Sequence, residues 1–282
     1  EKMYDIIEYW SSKGVDGFRC DMVELVPQSF MKWLISSVKS AYPDVIFIAE
    51  VYKKDLYNQY IREVGFDYLY DKSGLYDSLR AVVEKAVNDN GMPVELWQSA
   101  TGITRNWQFL SDLQPYMLNF LENHDEHRFA SDFFGKDAAN TFAPLYVSLF
   151  LNTAPFMAYF GEEVGERGMD EEGFSGRDGR TTIFDYWCVD TIRRWRNGGK
   201  FDGKQLTKEE KKLQGFYSTL LNLCNKEKAI REGNFFDLTY ANLEGCAFNE
   251  HRQYAFFRKA GKELLFIVVN FDENPASPSV KI

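Results

Sequence analysis

The chain has 282 residues, 45% of them hydrophobic and 16% aromatic, enough for a large core and one or two domains. A net charge of -9 without any run of lysines or arginines gives nucleic acid no electrostatic footing. Cys20, Cys188, Cys224 and Cys246 are far apart and form no CxxC, which speaks against a zinc knuckle or a dense disulfide framework and leaves the redox compartment open.

The opening EKMYDIIEYW is charged and amphipathic; it reads as a helix over 3–13 with a cut beginning, not as a leader. Gly14 ends it, and VDGFRCDM reads as a strand. PQSFMKWLISSVKSAY predicts an amphipathic helix stopping before Pro43, and DVIFIAEVY a second, apolar strand. A helix near 55–64, Gly65 and the short strand FDYLYD make a third unit. One or two helices with a break at Pro93 fill 75–110, and YMLNFLENHD, at 116–125, is the fourth strand. Residues 138–161 carry no charge and are long enough to suggest a membrane span. Pro144, Asn152, Thr153 and Pro155 divide them into a buried helix near 137–151 and a fifth strand, PFMAYFGEE, so no span is expected. A glycine-rich loop over 161–180 follows, and a helix with a capping box at Thr207 and Glu210 runs to about Glu227.

Five strands separated by helices, all beyond hairpin reach, predict a parallel α/β sheet. From about Phe235 the texture changes to FFDLTYAN, CAFNEHRQYAFFRKAG and ELLFIVVNFDE, antiparallel strands of an all-β domain that ends on SVKI in mid-strand. The predicted division is 1–230 and 231–282.

Acids mark the carboxyl ends of the strands: Asp21, Glu50, Asp125 beside His124, and Glu162 with Glu163. In β/α folds that end carries the active site, although acids there also serve as first-turn residues of the following helices. Arg19, two residues before Asp21 and on the same face, would hold Asp21 ionised, and a less charged setting would leave Glu50 protonated. Two carboxylates in different charge states on facing strands suit glycoside hydrolysis.

GFRCD, IAEVY and FLENHD, with key acids 29 and 75 residues apart, resemble three of the four signature regions of the α-amylase family, glycoside hydrolase family 13, and YFGEEVG resembles a further one. The resemblance extends over 1–282 and implies a (β/α)8 TIM barrel, here strands four to eight, followed by an incomplete β-sandwich domain. It implies Asp21 as nucleophile, Glu50 as general acid and base, and Asp125 as stabiliser of the distorted sugar. Arg19 would orient Asp21 and His124 would bind ring hydroxyls; Tyr52, two residues after Glu50, would either face the leaving-group sugar or close the strand as a core tyrosine. The implied substrate is an α-1,4-glucan such as starch or maltodextrin, cleaved with retention by carboxyls about 5 Å apart and without a cofactor. The structural calcium common in this family has its usual site in the barrel part preceding this chain. Polymeric glucans are met outside cells, which favours a secreted or periplasmic setting.

The family's first signature is absent, so the chain reads as a fragment, poorly active unless completed or associated. Where many α-amylases carry a Lys-His pair, Glu24 and Leu25 stand, which brings cyclomaltodextrinases, maltosyltransferases and a non-catalytic binding relative into view. Among other candidates, Arg128 would pair with a barrel acid or, with His127, begin a solvated helix. Residues 170–178 lack the calcium-loop pattern, Tyr186 or Trp187 would wall a sugar cleft, and His251 reads as surface. Cys20 reads as a small buried hydrophobe.

Overall fold

The computed structural model describes residues 1–84, 98–171, 176–181, 189–243, 247–272 and 274–282. Five strands, β1 Gly17–Cys20, β2 Ile46–Ala49, β3 Tyr68–Tyr70, β4 Met117–Phe120 and β5 Phe156–Met157, are parallel and lie side by side in chain order. Order without reversal is the winding of a β/α barrel, whereas a doubly wound sheet turns back at a switch point. The sheet is a half-barrel.

α1 Lys2–Ser12 precedes β1, and α2 Gln28–Ala41 joins β1 to β2. Between β2 and β3 the expected helix is broken into a 3-10 turn, a single α-helical turn α3 Tyr57–Gln59, and a π-helical turn Tyr60–Val64 that Gly65 closes. α4 Asp77–Glu84 and α5 Thr101–Leu110 lie between β3 and β4; the break placed at Pro93 falls outside the described residues. α6 Phe142–Phe150 is the helix of the uncharged stretch, and no helix among the described residues is long and apolar enough to cross a membrane. α7 Asp190–Arg196 is too short for its period to show in sequence. α8 Lys208–Lys226 begins with the capping box, Glu210 N donating to Thr207 Oγ1 at 3.2 Å and Thr207 N to Glu210 Oε2 at 2.8 Å. α9 Lys228–Glu232 follows.

Strand side chains alternate between two environments, as a period of two requires. Phe18, Cys20, Phe47, Ala49, Leu69 and Met117 meet Leu34, Ile35 and Val38 of α2 on the helix-covered face. Ile48, Tyr68, Tyr70, Leu118 and Phe120 face the other way and meet Tyr76, Phe129 and Phe134. Arg19, one residue from Phe18 and from Cys20, belongs to this second face. Each large side chain buried here contributes about 2 kcal/mol of transfer energy. Gly17 is needed where β1 meets β2, because a Cβ there would lie 2.3 Å from Ile46 Cγ1.

The second sheet is antiparallel, β6 Asn234–Asp237, β7 Gln253–Ala260 and β8 Glu263–Asn270, and is what the chain holds of its β domain. The strand expected at SVKI is not formed; the Asn242 side-chain amide holds Lys281 instead, accepting from its N–H at 2.7 Å and donating to its carbonyl at 2.9 Å. Tyr254, Phe256 and Ile267 pack in one core with Leu145, Phe150, Leu213 and Tyr217 of the half-barrel. His251 is a half-buried junction residue rather than a surface one, with Nδ1 2.9 Å from the Oγ of buried Ser99.

Arg258 fastens the second sheet to the end of α6 and to α9. Only 1% exposed, it donates to the carbonyls of Leu151 at 3.0 Å, Ile230 at 2.8 Å and Ala229 at 3.2 Å. Burial pushes its pKa down to about 10. Leu151 lies at the end of α6, where the helix dipole favours a cation, and the other two carbonyls lie in α9. Arg258→Ala leaves a cavity and buried acceptors without their donor, so urea unfolding should show a loss of about 3 kcal/mol.

Candidate active site

β1 ends where Met22 turns left-handed, with φ of 42°. That turn leaves the Asp21 side chain 71% exposed and aims the Met22 N–H at Glu50 Oε2, 2.8 Å away. Glu50 N donates to Cys20 O at 3.1 Å, so the β1–β2 ladder runs one residue past β2 and sets the two acids on adjoining strand ends. Glu50 is 2% exposed, and its Oε1 also accepts from Tyr52 Oη at 2.8 Å.

Arg19 reaches both acids. Nη1 bonds Asp21 Oδ1, while Nη2 stands 2.8 Å from Glu50 Oε1. The less charged setting expected for Glu50 is not what the structure holds: adjacent parallel strands present Arg19 to both acids, hydrogen-bonded to Asp21 and in ion-pair contact with Glu50. Its Cζ lies 5.4 Å from the centre of the Tyr70 ring. Burial, then Glu50 and, after it, Asp125 and Glu126 push the Tyr52 phenol upward. Burial pushes the Cys20 thiol up to about 11, in keeping with an inert small hydrophobe.

Asp125 and His124 sit in a loop closed at both ends. Asn123 Oδ1 accepts from Asp125 N at 2.9 Å and Glu126 N at 2.8 Å, and His124 Nε2 lies 3.1 Å from Asp125 Oδ2. Beneath the loop, Glu122 accepts from Arg128 Nη1 and from Phe129 N, both at 2.7 Å. Arg128 also donates to Phe160 O at 2.7 Å and Thr181 Oγ1 at 2.6 Å, so it is the buried partner of a barrel acid and not a solvated helix start. Glu126 accepts from Tyr76 Oη at 3.1 Å and lies 3.2 Å from Lys72 Nζ, fastening the loop to the segment after β3.

Glu162 is buried as well, accepting from Tyr217 Oη at 2.7 Å and Tyr159 N at 2.9 Å. Burial and then Glu122 raise its carboxyl well above the usual value. A raised folded-state value means that the contribution to stability is full below about 4.5 and is lost as pH rises through the folded value. Glu162→Gln stays neutral throughout, so its urea midpoint should fall less than the wild-type midpoint between pH 5 and pH 8.

Tyr186 and Trp187 lie outside the described residues, as do 172–175 of the loop weighed for calcium. Sequence reading passed over Tyr70, Asp71 and Glu122. Asp71 had a signal, an acid at the end of the third strand like those of its neighbours.

Paired acids beside one guanidinium, at the carboxyl end of a singly wound parallel sheet, place the chain among β/α-barrel proteins as a half-barrel with an acid-lined end. The model of the alpha amylase catalytic domain matches residues 1–233, and the chain belongs to that family. A cyclomaltodextrinase from a Bacillus species is 24% identical over 274 residues, covering 97% of this chain and 42% of the relative. Alpha-amylase 3 of Dictyoglomus thermophilum is 26% identical over 251 residues, covering 83% of this chain and 47% of the relative. The chain thus spans less than half the length of these two curated relatives. The fold is shared with a cyclic alpha-maltosyl-(1→6)-maltose hydrolase from Arthrobacter globiformis solved with that cyclic sugar, at a TM-score of 0.67 and 18% identity over 95% of this chain and 51% of that one.

Proposed function

We propose that this protein is a retaining α-glycoside hydrolase acting on α-1,4-glucosidic bonds of starch, maltodextrin or related α-glucans. The observation that carries the reading is the Arg19 bridge, which makes an exposed and a buried carboxylate neighbours. Asp21, open to solvent, attacks the anomeric carbon and forms a covalent glycosyl-enzyme. Glu50 gives its proton to the leaving oxygen and then takes one from water. Asp125 and His124 bind hydroxyls of the distorted sugar, where hydrogen bonds strengthen as cationic character develops. Arg19 orients Asp21, and Tyr52 supports Glu50 while facing the leaving sugar.

Glu24 and Leu25 favour short or cyclic maltodextrins over polymer. Glu24 Oε2 accepts from Lys53 N at 3.3 Å, binding the loop after β1 to the loop after β2, and Leu25 stands 75% exposed beside them. That wall offers an apolar contact where a Lys-His pair would offer donors. The test is to give the natural full-length polypeptide maltoheptaose and cyclomaltoheptaose and follow the products by NMR. Products released first as the α-anomer are expected. First release as the β-anomer overturns retention, and binding without cleavage moves the protein to the carbohydrate-binding class. Disaccharide units passed to an acceptor in preference to water assign it as a maltosyltransferase.

A further inference from the structure

We propose that buried Asp71 and Asn106, with half-buried Lys54, form a relay that positions the arm bearing Glu50 and Tyr52; the proposal rests on the hydrolase reading. Asp71 stands at the end of β3 and is 2% exposed. Its backbone is pinned to the sheet, with its N–H donating to Leu118 O at 3.1 Å and its carbonyl accepting from Tyr76 N at 3.0 Å. Oδ2 accepts from Asn106 Nδ2 at 2.9 Å, and Asn106 Oδ1 in turn accepts from Lys54 Nζ at 2.7 Å. Lys54 lies two residues beyond Tyr52, whose hydroxyl bonds Glu50 Oε1, and its ammonium rests 4.5 Å from the centre of the Phe109 ring.

The relay has a fixed end on the sheet and on α5, and its other end is the segment leading from Glu50. A direct Asp71–Lys54 ion pair, or apolar side chains, would hold these elements at no greater cost, so an interposed amide is a geometric device. The amide sets how far Lys54 reaches and hence where Tyr52 and Glu50 stand. Gly74 makes room for it: a Cβ there would fall 1.9 Å from Asp71 Oδ1 and 2.6 Å from Asn106 Oδ1. Burial pushes the Asp71 carboxyl up to about 6, while the Asn106 amide it accepts from works in the opposite direction.

The test uses the natural full-length polypeptide and Asn106→Leu, which removes both bonds at nearly constant volume, with Lys54→Met as a second variant if the first does not fold. Two readouts separate positioning from simple support. With fluorotyrosine at position 52, the fluorine resonance should move in the variant; an unmoved resonance overturns the relay whether or not the protein turns over sugar. Turnover of maltoheptaose should fall about tenfold or more, while turnover of α-maltosyl fluoride, whose leaving group needs little proton assistance, changes by less than about threefold. Equal losses on both substrates overturn the relay and leave a structural role. If the wild type cleaves neither, the hydrolase reading fails, and the fluorine resonance alone decides the relay.

Discussion

Asp21→Asn should lower maltoheptaose cleavage by at least about a thousandfold, with unfolding free energy changed by about 0.5 kcal/mol or less. The two halves follow from one geometry. Asp21 is 71% exposed and contributes little packing, so the amide is tolerated by the fold. The amide oxygen is a poor nucleophile, however, and the neighbouring Glu50 is buried and assigned to the proton transfers. Glu50→Gln should show a different pattern, because it removes the proton donor and not the attacking group. Its loss should be large on maltoheptaose and small on α-maltosyl fluoride. Steady-state rates with both substrates on both variants check the division of labour. A fully active Asn variant places the nucleophile elsewhere.

Arg128→Met should cost about 3–5 kcal/mol of stability, measured by urea unfolding, because it leaves the buried Glu122 carboxylate without its cation. Burial already raises the Glu122 pKa, and Arg128 is the chief opposing influence. Glu122 lies just before the loop holding His124 and Asp125, and Arg128 just after it, so the pair is the clasp of that loop. The double variant Glu122→Leu with Arg128→Met should recover most of the loss, since replacing a buried pair costs far less than breaking one. Recovered stability without recovered turnover would assign the pair a role in holding Asp125 in place.

The half-barrel was legible because parallel strands buried on both faces write themselves as apolar runs, and β/α alternation fixes their direction. The acids at strand ends were legible for the same reason: each interrupts or ends such a run, and Arg19 shares a face with Asp21 by simple alternation. The bridge from Arg19 to Glu50 was not, because it depends on the register of two strands, Arg19 beside Ile48, which no local pattern states. Arg128 was half legible, since a barrel-acid partner was one of two readings beside a solvated helix start and Glu122 was not named. The Asp71–Asn106–Lys54 relay joins pairs 35 and 52 residues apart through an amide, a chemistry that leaves no periodic trace. The π-helical turn at Tyr60–Val64 likewise comes from packing and not from propensity.

The central claim is that Asp21 forms a bond to the sugar. Incubating the full-length Glu50→Gln variant with 5-fluoro-α-maltosyl fluoride, whose glycosyl-enzyme turns over slowly, followed by proteolysis and mass spectrometry, tests it most directly. The account predicts a peptide containing Asp21 that carries the added glycosyl mass, with fragmentation placing it on that residue. Label on another residue, or fluoride released catalytically with no covalent adduct at any time, would contradict it.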